Sequence, residues 1–156
     1  MDIFNMLLLL PLLSALVIVL FFRTSKWGGV VISVASAIAC ASIMFAVLDG
    51  NCFKSSTTLF SLGDFSLNFG IMLDEISANM LFIVCFVGLL IHVFSVGYMR
   101  DDDAKGRFFA GLSFFMFSMT GIVLATNLFM MFVFWELVGF SSYAFVIGLL
   151  TVFLKL

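Results

Sequence analysis

Long apolar blocks separated by short polar stretches dominate the pattern of this chain. Each block has the length of about 20 residues that an α-helix needs to cross the hydrocarbon core of a bilayer. No repeat or linker divides the blocks, so the sequence predicts an all-α integral membrane protein with one transmembrane helical domain over residues 1–156. The five predicted transmembrane helices cover residues 3–22, 28–48, 76–98, 108–125 and 128–150.

The long polar interval at residues 49–73 has a different pattern. Apolar side chains alternate with polar or small ones over residues 65–71, directly after the turn pair Gly63-Asp64. A period of two is typical of a strand, and a Gly-Asp pair is typical of a tight turn. The interval therefore predicts a short β-hairpin on the outer surface of the membrane, between helices 2 and 3.

Composition supports a membrane location and excludes several other classes of protein. Hydrophobic residues make up 64% of the chain and charged residues only 10%, whereas soluble domains carry about 25% charged residues. With 7 Lys and Arg against 9 Asp and Glu, no basic patch for nucleic acid is present. The 3 cysteines match no metal or redox spacing, and they are interpreted as small apolar side chains.

The basic residues predict the orientation of the chain in the membrane. If five helices cross, one side receives six of the seven Lys and Arg residues and the other receives Lys54 alone. By the positive-inside rule, the N-terminus then lies outside and the C-terminus lies in the cytoplasm or matrix. The six residues on the inner side are Arg23, Lys26, Arg100, Lys105, Arg107 and Lys155.

Three local patterns predict how the helices are packed and bounded. A stripe of small residues recurs every four positions in the second helix, which favours close approach of a neighbour. Asp74-Glu75 precedes the third helix, where carboxylates cap the positive N-terminus. Residues 99–107 read as a solvated inner loop, with Asp101-Asp102-Asp103, Lys105 and Arg107. The small stripe consists of Gly29, Ser33, Ala37 and Ala41.

Glu136 is the charged residue that lipid cannot explain. It lies eight residues into the fifth helix, about 12 Å along the axis, where an ionisable group costs about 2.5–3.5 kcal/mol. Gly139 and Tyr143 share its helical face, so there is room beside the carboxylate and a hydroxyl two turns away. Glu136 is predicted to be a proton relay that faces protein or water, with Tyr143 as an accessory group. The alternative is a carboxyl group that only bonds a neighbouring helix.

His92 is the one histidine of the chain and lies in the third predicted helix. Cys85, Gly88 and Ser95 share its face, so it is predicted to meet protein rather than lipid. Its titration range suits proton transfer, and a hydrogen-bonded structural role is the alternative. No nucleotide loop, nucleophile triad or metal cluster is visible in the sequence.

Several motifs, in order along nearly the whole chain, resemble one known family. The chain is similar to the antiporter-like subunit L of NADH-quinone oxidoreductase, respiratory complex I, called chain 5 in mitochondria. In that family, the glutamate of the Trp-Glu motif on the fifth helix belongs to the proton channel, and it matches Glu136. The motifs are LPLL at 10–13, LDEISANM at 73–80, LIHVFSVGYM at 90–99, RFFA at 107–110, FSM at 117–119, TNL at 126–128 and WELVGFSSY at 135–143.

The resemblance implies a membrane-arm subunit that contributes to proton translocation in a bacterial or mitochondrial inner membrane. It implies no cofactor in this chain, with NADH, FMN, iron–sulfur clusters and quinone bound by other subunits, and partners among membrane-arm subunits and lipid. Family members are several times longer and carry the paired channel lysine further along. The chain is therefore expected to be an N-terminal portion, either of a split subunit that a second chain completes or of a truncated one, and not catalytic alone.

Two alternatives remain open from the sequence. The large subunits of multi-subunit sodium/proton antiporters and of membrane-bound hydrogenases share these helices. A non-catalytic membrane scaffold, in which Glu136 only stabilises helix packing, is the alternative from another class.

Overall fold

The computed structural model describes residues 3–21, 27–47, 53–62, 65–100 and 105–153 of the chain. Five α-helices and one antiparallel pair of strands make up these residues. The predicted turn at 63–64, the acidic residues 101–103 and the basic residues Arg23, Lys26 and Lys155 lie outside the described residues. In chain order, the elements are α1 Ile3–Phe21, α2 Gly28–Val47, β1 Phe53–Leu62, β2 Phe65–Leu73, α3 Glu75–Tyr98, α4 Lys105–Leu124 and α5 Leu128–Phe153.

The helices match the five apolar blocks, and three of them meet the requirements for crossing a membrane. In the described residues, Gly28–Phe45, Glu75–Tyr98 and Lys105–Leu124 are long and apolar enough to span a bilayer. Shorter apolar segments lie in the other two helices, at Asn5–Phe21 and Leu128–Ala144. The protein is therefore an all-α membrane protein, and crossing by α1 and α5 stays a prediction.

Two helices begin where polar chemistry, rather than hydropathy, sets the boundary. Asp74 is the N-cap of α3, and its carboxylate accepts a hydrogen bond from the Ser77 backbone N–H at 2.7 Å, which confirms the predicted cap. α4 begins at Lys105 instead of residue 108. The prediction of a loop up to residue 107 was wrong because Lys105 and Arg107 extend the helix beyond its apolar block.

Pro11 lies inside α1 and removes one backbone donor from the helix. The carbonyl four residues earlier, that of Leu7, consequently has no helical N–H partner. The Cys40 thiol of α2 donates to this carbonyl, with Sγ 3.8 Å from the oxygen. A neighbouring helix thus supplies the donor that proline removes, as membrane helices require.

α4 occupies the centre of the bundle and packs against each of the other four helices, whereas α5 packs chiefly on α4. The predicted small stripe of α2 is buried, which confirms its role in packing. At Gly29, an added Cβ would lie 3.0 Å from Ile18 Cγ2 of α1 and 3.5 Å from the Gly106 Cα of α4. Small residues therefore set the close approach of these helices.

The strands β1 and β2 pair in antiparallel register, with a shift between Thr58 and Phe60. β2 runs on to Leu73, two residues beyond the alternating segment 65–71. Ile71 forms a β-bridge with Ala125 at the turn between α4 and α5. Both Ile71 and Leu73 are buried in the hydrophobic core of the bundle. The end of the strand pair is thereby fixed to the same end of the bundle as the α4–α5 turn.

Candidate functional site

Glu136 lies on the face of α5 that the rest of the described chain leaves open. Its side chain is exposed, whereas Phe134, two residues earlier, is buried against α4. Two residues correspond to about 200° around a helix, so the carboxylate points away from α4. Among the described residues, no side chain pairs with Glu136. The sequence predicts that Glu136 faces protein or water. Within the described residues no protein group covers this face, so no contact within the chain tests this prediction.

Gly139 and Tyr143 lie on the same open face as Glu136. A Cβ added at Gly139 would have no heavy atom within 4 Å, and the Tyr143 side chain is 65% exposed. The carboxylate thus has free space one turn away and a phenol two turns away. The relay roles of Glu136 and Tyr143 stay predictions.

His92 occupies the opposite kind of environment, inside the bundle. The imidazole is fully buried, as are Cys85 and Ser95 on the same face of α3, which confirms that it meets protein. Nδ1 lies 2.7 Å from the Gly88 carbonyl oxygen, and Nε2 has no partner among the described residues. The structure does not bring His92 together with Glu136, because Glu136 faces away from the bundle.

Lys105 is a buried charge that the sequence assigned to a solvated loop. Only 8% of the residue is exposed. Its Nζ donates to the Arg100 carbonyl and lies 4.9 Å from the centre of the Trp27 ring. The assignment was wrong because the aromatic ring and the carbonyl satisfy the ammonium at the start of α4. Charge patterning along the sequence could not reveal these partners.

A network of buried hydroxyl groups joins three helices, and sequence reasoning missed it. Ser36 of α2 donates to Ser14 of α1 at 3.1 Å. Ser33 of α2 lies 2.6 Å from the Ser113 hydroxyl of α4 and also donates to the Phe109 carbonyl at 3.2 Å. The available signal was the presence of serine at helical spacing within apolar blocks.

Further titratable groups are a helix cap and two thiols in the core. The Ser77 N–H and hydroxyl donate to Asp74, and these hydrogen bonds hold the pKa of the Asp74 carboxyl below its usual value. Cys40 and Cys85 are free thiols in the core. Within the described ranges, no three His, Cys, Asp or Glu side chains are grouped so that they could hold a metal ion.

The chain is similar in sequence to subunits of NADH- and NAD(P)H-quinone oxidoreductases. Residues 59–109 match the family described as "NADH-Ubiquinone oxidoreductase (complex I), chain 5 N-terminus". NADH-quinone oxidoreductase subunit L of Escherichia coli is 33% identical over 153 residues, covering 92% of this chain and 25% of that protein. Chloroplast NAD(P)H-quinone oxidoreductase subunit 5 of Anthoceros angustus is 35% identical over 147 residues, covering 86% of this chain and 20% of the relative.

The fold has a counterpart among solved structures. A chain in the structure of the membrane-bound sulfane sulfur reductase, an archaeal respiratory membrane complex, superimposes with a TM-score of 0.63 and 24% identity. The match covers 91% of this chain and 22% of that chain. The chain spans about a quarter or less of the curated relatives that it matches.

The sequence matches to these relatives and the structural match both extend over most of this chain. The similarity to full-length relatives runs over most of the chain, and the family match includes β2, α3 and the start of α4. The helical bundle is shared with a respiratory membrane complex. The chain belongs to the family of subunit L, or chain 5, of NADH-quinone oxidoreductase, and it corresponds to the N-terminal part of those proteins.

Proposed function

We propose that the chain is the N-terminal portion of an antiporter-like membrane subunit that contributes to proton translocation in a proton-pumping NADH:quinone oxidoreductase. The observation that carries the proposal is the position of Glu136, in the middle of an apolar helix on a face that the described chain leaves open. An ionisable side chain at that depth marks a proton or ion path. The membership in the subunit L family supplies the reaction in which such a path is used.

The geometry of the open face supports a relay that is completed by further protein. Glu136 holds or releases the proton, because a carboxyl group is the one acid in the middle of this helix. Free space at Gly139 admits water beside it, and Tyr143 provides an exposed hydroxyl further along. Tyr143 lies about 10 Å along the helix axis from Glu136, so proton transfer between them needs several waters or a group from the covering protein between them.

The cofactors and partners of this function lie outside the chain. NADH, FMN, iron–sulfur clusters and quinone are held by other subunits, whose redox chemistry drives the movement of protons here. The partners are membrane-arm subunits and the remaining helices of this subunit, on the same or a second chain. The location is a bacterial or mitochondrial inner membrane, with the N-terminus outside and the C-terminus on the cytoplasmic or matrix side.

The test is Glu136→Gln in the assembled complex, reconstituted into vesicles. Glutamine keeps the size and hydrogen bonding of the side chain but cannot take up a proton at this site. We expect assembly and subunit content to stay at the wild-type level, while proton translocation driven by NADH falls several-fold. Glu75→Gln is the matched control, since Glu75 is an exposed carboxylate at the first turn of α3.

The result of the same assay separates the relay from the scaffold alternative. If Glu136→Gln pumps as the wild type does, Glu136 only stabilises packing and the relay is wrong. A loss of assembly with normal pumping by the remaining complexes favours the scaffold.

A second candidate activity follows from the solved relative, which belongs to a sulfane sulfur reductase complex. Complexes of that kind, membrane-bound hydrogenases and multi-subunit sodium/proton antiporters would use the same helices with other redox or ion-transport partners. Purification of the chain with its native complex distinguishes them. Subunits that bind NADH and quinone support our proposal, and hydrogenase or antiporter subunits contradict it.

A further inference from the structure

The unpartnered nitrogen of His92 is a buried base in the interior of the bundle. The Gly88 carbonyl, 2.7 Å from Nδ1, can only accept a hydrogen bond, so Nδ1 carries the proton. In the neutral ring, Nε2 then bears a lone pair, and it is buried with no partner among the described residues. An unpaired buried acceptor is unfavourable, and such groups in native proteins call for a specific explanation.

A pair of hydroxyl groups is bonded to the residue of α4 on which the imidazole packs. The His92 ring packs at 6.5 Å from the Phe109 ring of α4. The Phe109 carbonyl accepts a hydrogen bond from Ser33 of α2, and Ser33 in turn is 2.6 Å from Ser113 of α4. Because Ser33 donates its single hydroxyl hydrogen to that carbonyl, Ser113 is the donor to Ser33 in this arrangement. The imidazole ring and the Ser33 hydroxyl thus contact the same residue, Phe109, at the junction of α2, α3 and α4.

No countercharge for His92 is present on the described parts of the helices that surround it. The other titratable or charged groups on α2 and α4 are Cys40, Lys105 and the exposed Arg107. On α3 itself, Cys85 shares the face of His92, and Glu75 lies at the far end of the helix. The Lys105 ammonium is already bound by the Arg100 carbonyl and Trp27. A structural ion pair therefore does not account for the histidine.

We propose that His92 is a second protonatable site of this subunit, on a route through the junction of α2, α3 and α4 that is separate from the Glu136 face of α5. Nε2 takes up a proton from water to give the imidazolium, and the return of that proton to water restores the neutral ring. The Ser33–Ser113 pair exchanges protons with this position only through intervening water, because Nε2 has no direct hydrogen-bond partner among the described residues. This inference rests on the proposed function, because it assumes that the subunit moves protons.

The decisive variant is His92→Asn in the assembled complex, reconstituted into vesicles. The asparagine amide keeps a donor for the Gly88 carbonyl but removes the base at Nε2. We expect normal assembly, a several-fold loss of NADH-driven proton translocation, and a pH profile of translocation whose shape differs from the wild type. If His92 were only structural, His92→Asn would keep the wild-type rate and profile, and the inference would be overturned.

Thr126→Val is the matched control for removing an unpartnered buried polar atom. Thr126 Oγ1 is the other such atom in the described residues, and it lies at the α4–α5 turn away from His92. We expect wild-type translocation from this variant. A loss equal to that of His92→Asn would attribute the effect to polarity in general and contradict a specific site at His92.

Two further variants keep the inference separable from the proposed function and from folding. If Glu136→Gln lowers translocation and His92→Asn does not, the second site is wrong and the proposed function stands. If neither variant lowers it, the proposed function itself fails. Should His92→Asn not assemble, Ser113→Ala decides: slower translocation supports the site, and the wild-type rate at every pH overturns it.

Discussion

α4 and α5 are two apolar helices that meet their surroundings in opposite ways. Twelve residues of α4 are buried along its twenty positions, and it packs against all four other helices. In the described part of α5, burial is confined to Met130, Phe134 and Ser141. The surroundings of α4 are therefore supplied by this chain. Most of the surface of α5, in contrast, is left uncovered by the described residues.

The charged residues of the two helices show the same contrast. Lys105 of α4 is buried, with its ammonium bound by a carbonyl and an aromatic ring. Glu136 of α5 is exposed and has no partner in the described chain. A charge that the fold satisfies serves stability, whereas a charge left open in the middle of an apolar helix is available for function. Substitutions of residues buried in the bundle should consequently affect stability, whereas those on the open face of α5 should affect function.

The largest effect is expected at the contact that joins the two helices. Phe134 is buried, and its ring is 5.4 Å from that of Phe117 on α4. Phe134→Ala leaves a cavity there and should lower the free energy of unfolding by about 3 kcal/mol. Phe132→Ala, on the exposed side of α5, should change it little. Thermal unfolding in detergent compares the two, and equal midpoints would show that α5 does not depend on α4.

A smaller loss of stability is expected from adding one methyl group to the same contact. A Cβ at Gly121 would lie 2.2 Å from the Phe134 ring, so Gly121→Ala forces the helices apart. The cost should be about 1–3 kcal/mol, as for other overpacked sites. Gly139→Ala is the matched control, because its Cβ meets open space. A stable Gly121→Ala protein with unchanged unfolding would mean that the ring moves aside freely.

The helices, the cap at Asp74 and the buried stripe of α2 could be predicted from the sequence because each depends on neighbours along the chain. Continuous apolar runs set the helices, and a carboxylate before a helix binds its first N–H groups. Helical spacing also placed Glu136, Gly139 and Tyr143 on one face. What covers that face could not be predicted, because periodicity gives the direction of a side chain and not its partner.

The same limit explains the errors inside the bundle. Lys105 was assigned to a loop because charged residues are typical of solvent-exposed segments. Its ammonium group instead lies over the ring of Trp27, which is distant in sequence. Ser33 was recognised only as a small residue, since its partner Ser113 lies eighty positions away. Contacts between distant residues depend on the packing of helices, and one sequence alone does not encode them in a readable pattern.

The buried charge of α4 allows the contrast with Glu136 to be tested from the side of stability. Lys105→Met keeps the length of the side chain and removes the ammonium over the Trp27 ring. The unfolding free energy should fall by about 1 kcal/mol, the size of a partly desolvated cation–π contact. Arg107→Met, at an exposed position of the same turn, should leave it unchanged. Unfolding midpoints of both variants in detergent decide, and a more stable Lys105→Met protein would contradict the structural role.

The smallest effect is expected from the hydroxyl network that holds α4 to α2. Ser33→Ala removes hydrogen bonds to Ser113 and to the Phe109 carbonyl, and such bonds between membrane helices average about 0.6 kcal/mol. Ser42→Ala is the control, since Ser42 is exposed and its hydroxyl bonds the Ile38 carbonyl of its own helix. A measurable drop in unfolding midpoint for Ser33→Ala alone would show that polar contacts, besides packing, give α4 its central place. Equal midpoints would mean that close packing of small residues holds α4 in its central position. The hydroxyl pair would then add no stability, which is compatible with a role in proton transfer.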